Sequence, residues 1–227
     1  MKKTARLIVA AAALLIGDAA HAVTYDATAD FQTVSNPGAV WSYGYSAGTG
    51  AYNFTAFNAP STIAGTVGWS EAGYNISSVP AAWINTSGST MYGAANGQLS
   101  LHAGPAANGD AAILRFTAAQ TGNYNVTGQF FAGDVGTESG SVILSGQTAS
   151  PLAYFQNTTD SSSFALTSVH INAGQTLDFV IGNNGNYYNG TTPITVFITA
   201  VPEADTYAMM LAGLGLLGFI ARRKRAA

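Results

Sequence analysis

From Gly97 to Ala200 the chain alternates apolar and polar residues in short runs, broken by glycine, asparagine and serine roughly every eight to twelve residues. Leu99 and Leu101 share one face of 97–102; Tyr124, Val126, Gly128 and Phe130 share one face of 123–131; Val142 and Leu144 share one face of 141–145. Leu177, Phe179 and Ile181 alternate without a break, as do Ile194, Val196 and Ile198 in the last such run. Residues two apart lie on one side of a strand, so each run predicts a strand with one buried face. Phe164 and Leu166 are out of phase with Val169 and Ile171, which predicts a bulge near Ser168. Residues 111–117 form a more continuous apolar run that Arg115 alone interrupts.

The first half is more aromatic and less regular. Trp41-Ser-Tyr-Gly-Tyr and the segment from Tyr52 to Phe57 can alternate as strands between loops rich in Gly, Asn and Ser. No window from Val23 to Ala200 carries a helical apolar stripe, and no linker or charge run divides it. The expectation is one all-β domain over 23–200, with two antiparallel sheets packed face to face.

Both chain ends break this pattern. Lys2, Lys3 and Arg6 precede an apolar stretch from Leu7 to Gly17 and a small-x-small site at Ala20-His21-Ala22. That is the layout of a secretory signal peptide over 1–22, cleaved between Ala22 and Val23 by signal peptidase after general secretion. At the other end, Pro202 and Glu203 lead into an apolar run from Tyr207 to Ala221, then Arg222, Arg223, Lys224 and Arg225. An apolar run followed by retained positive charge predicts a single C-terminal transmembrane helix over 207–221 with its basic cluster in the cytoplasm. Such a helix reaches about 22 Å against a hydrocarbon core of about 30 Å. Gly213, Gly215 and Gly218 weaken it further, so an inner-membrane stay that is transient fits better than a permanent anchor.

Setting the ends aside changes the charge. Between Val23 and Ala200 eight acids face the single base Arg115, a net charge of −7 where the whole chain carries −3. Nucleic acid is excluded as a partner on electrostatic grounds. The absence of cysteine removes thiol catalysis, thiolate metal sites and disulfides, and a domain of this length buries a core without them.

The tail resembles the PEP-CTERM sorting signal of Gram-negative bacteria, in which a Pro-Glu-Pro motif precedes a short membrane helix and an arginine cluster. Val201, Pro202 and Glu203 match the motif, Ala204 stands where the family usually has proline, and the run Leu211–Phe219 and the basic cluster match in turn. The resemblance implies an exosortase, an integral-membrane cysteine protease-transpeptidase, as the enzyme that reads 201–227. It also implies sorting to the cell surface, the medium or an exopolysaccharide matrix. Over roughly 31–200, Trp41–Tyr45, Gly97–Pro105, Ala111–Phe131 and Ile171–Asn184 resemble, in order, a domain found in such proteins. Its relatives are similar to carbohydrate-binding jelly rolls, which implies a jelly-roll-like β-sandwich.

Candidate chemistry is sparse. His102 and His170 are the only histidines of the domain, and Ser100 near His102 lacks both an orienting acid and a nucleophile elbow. Glu71 and Glu138, the only glutamates between Val23 and Ala200, carry no signal that pairs them for glycoside hydrolysis. Asp134 and Glu138 flank a short loop and Asp110 follows Asn108, oxygen donors that a structural calcium ion could use, although the spacing matches no dedicated calcium loop. The loop from Asn183 to Asn189 holds Asn186, Tyr187 and Tyr188, aromatic and amide groups suited to stacking on sugars and bonding hydroxyls. Trp41, Trp69 and Trp83 are secondary candidates that a sandwich core would also claim. Arg115 needs a carboxylate partner, and Asp178 is the expected one. The sequence thus points to a non-enzymatic exported surface or matrix protein sorted by exosortase, with a glycan-binding module as the alternative and a secreted hydrolase as the weakest choice.

Overall fold

The computed structural model describes residues 22–47, 52–72, 79–105, 110–156, 160–202 and 204–225, with the side chains of 204–210 and 225 left aside. The segment 1–21, Glu203 and Asn108 therefore lie outside the described residues. The described residues fall into two units, Thr24–Thr199 and a smaller one that holds the C-terminal segment from Ala200.

The strands run in chain order as β1 (Thr24–Asp26), β2 (Trp41–Ser46), β3 (Thr55–Ala56), β4 (Ala59–Pro60), β5 (Thr66–Ser70), β6 (Ala81–Asn85) and β7 (Leu99–His102). They continue as β8 (Ala111–Thr117), β9 (Gly122–Phe130), β10 (Ser139–Leu144), β11 (Ala153–Phe155), β12 (Ser162–Ile171), β13 (Thr176–Gly182) and β14 (Thr191–Val201). One helix follows, α1 (Ala204–Arg225).

The strands make two antiparallel sheets. The larger has the order β12-β9-β14-β7-β6-β5-β4, with β1 also on β14; the smaller runs β11-β10-β13-β8-β2-β3. The alternations read from sequence give the buried side of β9 and the second half of β14, whereas β7 and β13 are buried on both faces and in β10 Ile143 is buried while Leu144 is half-buried. Leu99, Leu101, Val126, Phe130, Ile194, Val196 and Ile198 from one sheet are buried, as are Leu114, Phe116, Val142, Leu177, Phe179 and Ile181 from the other. Their rings interlock: Phe164 of β12 stacks on Phe179 of β13 at 5.7 Å, and Trp41 and Tyr124 both meet Phe116 edge-on. Aromatic pairs of this geometry add about 0.5–1.5 kcal/mol each beyond the area they bury.

The bulge falls where the phase slip predicts it. β12 pairs β9 with a register shift between Leu166 and Val169, and Ser168 has a positive φ of 55°. The segment from Tyr52 to Phe57 is strand only at Thr55–Ala56, because Tyr52 and Phe54 turn onto the neighbouring strands. Gly44 makes this possible, since a Cβ there would strike the Phe54 ring.

Arg115 and Asp178 are directly opposed on β8 and β13. Nε and Nη2 of Arg115 donate to the two oxygens of Asp178 at 2.7 Å each, and the Tyr52 hydroxyl donates to Oδ2 at 2.6 Å. The guanidinium also lies 3.9 Å from the Phe54 ring centroid, so the one base of this unit is fully engaged.

The tail corrects one expectation. Residues 204–225 are helical, which covers the predicted 207–221. No helix among the described residues, however, is long and apolar enough to cross a membrane. The described apolar stretch from Leu211 to Ala221 rises only about 16 Å, it contains three glycines, and the exposed Arg222, Arg223 and Lys224 follow at once.

Candidate functional site

Three loops gather over β7 and the start of β14. His102 and Thr191 are paired there, with Ala81 of β6 on the other side of His102. Residues of the β9–β10 loop run beside β14: Phe131, Asp134 and Gly136 donate their N–H groups to the carbonyls of Pro193, Thr191 and Asn189 at 2.9, 3.1 and 2.8 Å. The β6–β7 loop adds a tight two-residue turn, in which Met91 and Ala94 exchange 2.9 Å hydrogen bonds and both central residues, Tyr92 and Gly93, have positive φ. That is the backbone sense of a type I′ hairpin turn, which favours small residues at its centre. Gly93 packs so closely on the Gly133 carbonyl that no side chain fits. Tyr92 takes the strained position instead, at φ 50°, and its ring stays half exposed, edge-on to the buried Trp83 at 6.4 Å.

The β13–β14 loop is the third wall. Asn183 is buried and donates through Nδ2 to the Gly104 carbonyl at 2.9 Å, while its Oδ1 accepts from Gly185 N–H. Asn184 donates to the Gln156 carbonyl at 2.7 Å, and Asn186 Oδ1 accepts from Tyr188 N–H at 3.1 Å. Asparagine serves this loop through its backbone bonding and its tolerance of positive φ, found at Asn184 and Asn189. The Tyr187 and Tyr188 rings stack at 4.4 Å, and Tyr188 is 65% exposed. A hydrogen bond with the Tyr188 hydroxyl pushes the Tyr187 phenol up from its ordinary value.

These walls enclose a cleft of ≈ 220 Å³ lined by Tyr92, His102, Asp134, Tyr187, Tyr188 and Asn189, with Ile63, Val79 and Thr191 completing it. Burial lowers the His102 pKa, against weaker opposing effects of the Ala103 carbonyl and the Asp134 charge. Nδ1 lies 2.7 Å from the Ala103 carbonyl, an acceptor, so the neutral ring carries its proton there and Nε2 is left as an acceptor. Asp134 accepts from Val135 N–H through Oδ1.

Of the residues singled out from sequence, Tyr187 and Tyr188 line the cleft, and Asn186 shapes their loop without lining it. Trp41 and Trp83 are core, and Trp69 is half-buried with Nε1 donating to the Gln32 carbonyl at 2.7 Å. Ser100 does not reach His102: its Oγ is buried without a hydrogen-bond partner. Asp134 lines the cleft, whereas Glu138 is buried against Gly190, and no three His, Asp or Glu side chains gather as a metal site among the described residues. Tyr92 was missed; an aromatic followed by glycine between turn residues is the signal that marks it. At the chain ends, Ala22 and Val23 are exposed near the N-terminus, while at the C-terminal tail Val201 ends β14, Pro202 follows, and Ala204 begins α1.

Among solved structures the chain is similar to the Podospora anserina GH26-CBM35 β-(1,4)-mannanase, at 18% identity and a TM-score of 0.30, over 80% of this chain and 28% of that one. It is also similar to a family 35 carbohydrate-binding module from an environmental isolate, at 12% identity and 0.29, over 65% and 92%. Pika GITRL matches at 13% and 0.29, over 40% and 75%. Likeness of this degree carries no function across, and the β-sandwich stands on its own two sheets. No curated protein matches the chain. The smaller unit is more specific: residues 200–225 match the PEP-CTERM protein-sorting motif, so the chain carries at its C-terminus a signal that implies export, a membrane-anchored sorting step and processing by an exosortase.

Proposed function

We propose that this is a non-catalytic protein of the cell surface or surrounding matrix, exported through an N-terminal signal peptide and associated with exopolysaccharide. The observation that carries this reading is the sorting motif, which begins where the last strand of the sandwich ends. The mass of the mature protein tests it. Loss of both 1–22 and the basic cluster Arg222–Arg225 is expected; a mature chain that keeps the cluster would make the tail a permanent tether and overturn the sorting role.

A second reading, recognition of the cell's own glycans, draws support from the cleft that gathers Tyr92, Tyr187 and Tyr188. Aromatic rings beside a few polar groups are what a sugar ring needs for stacking and hydroxyl bonding. Glycan-array binding by the chain, lost on Tyr187→Ala with Tyr188→Ala, is the expected outcome. Binding indifferent to both changes would remove the cleft from the account.

A further inference from the structure

The cleft's electrostatics narrow what it could hold. Among the described residues that line it, Asp134 is the one acid and none is a lysine or arginine. The Thr24–Thr199 unit has no base to lend it, because Arg115 is committed to Asp178. His102 is neutral and presents Nε2 as an acceptor. A uronic acid or other anionic sugar would thus meet a carboxylate with no compensating cation, in a domain whose net charge already repels it.

We propose that the cleft selects a cationic amino sugar, a hexosamine unit whose nitrogen is a free ammonium. This rests on the glycan-recognition reading and deepens it. The ammonium faces the Asp134 carboxylate, and the tyrosine faces add cation–π attraction. Nε2 of His102 and the side chain of Asn189 serve ring hydroxyls. At ≈ 220 Å³ the cleft is smaller than the roughly 300–1,000 Å³ typical of drug-sized ligands. It suits a single sugar ring, the adjoining units of a polymer remaining outside. A charge-charge contact at this half-buried position weakens with salt, unlike pure stacking.

The experiment is titration calorimetry of the full chain with three matched oligosaccharides: β-(1,4)-linked glucosamine, its N-acetylated counterpart, and an oligogalacturonate. The glucosamine oligomer is expected to bind about tenfold tighter than the acetylated one, with salt sensitivity, and the galacturonate not at all. Asp134→Asn should abolish the preference, and thermal melting shows whether that variant is folded. Tyr188→Ala, at an exposed position, should weaken every sugar that binds. Equal or tighter binding of the acetylated oligomer, or a preference that survives in Asp134→Asn, overturns the amino-sugar assignment and leaves glycan recognition standing. If none of these oligomers binds and a glycan array is also blank, both fall together.

Discussion

The sandwich treats two buried acids in opposite ways. Asp178 has its side chain fully buried, yet both oxygens are held by Arg115 and one of them also by Tyr52. Glu138 is 1% exposed and neither oxygen has a hydrogen-bond partner. Burial pushes its pKa up to about 8. The same contrast holds for the surroundings. Around Arg115, a strand pair, a loop tyrosine and a phenylalanine ring converge on one charge. Around the cleft, Trp83 Nε1 and Ser100 Oγ are buried without partners on neighbouring strands, and Tyr92 sits in a backbone conformation that bulky residues avoid. One region is arranged for stability. The other retains local costs, and such costs concentrate where a protein binds or reacts.

The sharpest way to break this comparison is to remove Arg115. Arg115→Ala leaves Asp178 as a buried charge with only Tyr52, and should cost about 3–5 kcal/mol in urea unfolding. The double variant with Asp178→Ala should lose far less than the sum of the two single changes. Additive losses would mean the pair contributes nothing as a pair, and the contrast with Glu138 would disappear.

Glu138→Gln should move stability the other way. The folded pKa of about 8 lies above the ordinary carboxyl value of 4.5, so the neutral form is favoured in the fold. Its stabilising contribution is full below the unfolded value and is lost as pH rises from about 4.5 towards 8. At neutral pH the glutamine variant is then more stable by on the order of 3 kcal/mol, since each tenfold change in proton affinity is worth about 1.4 kcal/mol. Unfolding free energies of the wild type should decline across that window relative to those of the variant. Parallel pH profiles would show that Glu138 is solvated or paired after all, and that the two acids do not differ.

Tyr52→Phe tests the satisfied region more gently. It deletes a 2.6 Å bond to a charged acceptor that keeps both of its arginine contacts, for an expected loss of about 1.5–3 kcal/mol. A neutral result would place the whole effect in Arg115 and leave the loop tyrosine as a bystander.

Much of this was legible in the sequence, for definite reasons. Period-two alternation marks the buried face of β9 and of β14 from Ile194 to Ile198, and the phase slip at Ser168 locates the bulge of β12. A lone arginine in an apolar run demands a carboxylate, and Asp178 in a similar run is the one that answers. The cleft was only partly legible. Tyr187 and Tyr188 could be named because their loop is so rich in asparagine. Their neighbours Tyr92, His102 and Asp134 come from two other loops and strand β7, brought together by pairing of β14 with β7 and by the 131–136 segment lying along β14. No local pattern encodes that meeting. Glu138 was equally opaque, since its environment depends on the absent side chain of Gly190 across the loop. The tail shows the converse: its motif is read residue by residue, and the helix expected behind it forms, although no helix among the described residues is long and apolar enough to cross a membrane.

The smallest expected effect on stability sharpens the comparison most finely. Tyr92 at φ 50° bears a left-handed backbone cost of about 1–2 kcal/mol, and its edge-on contact with Trp83 returns about 0.5–1.5 kcal/mol. Tyr92→Gly removes both together, so the melting point should shift little in either direction. If the cleft is a binding site, sugar affinity should nonetheless fall, because an aromatic wall is lost from it. A loss of several kcal/mol on this change would show that the ring is held for packing against Trp83, and Tyr92 would then belong with Tyr52 among the residues that serve the fold. Little change in stability combined with weaker binding places Tyr92 in the other class, where backbone strain persists because the exposed ring is used.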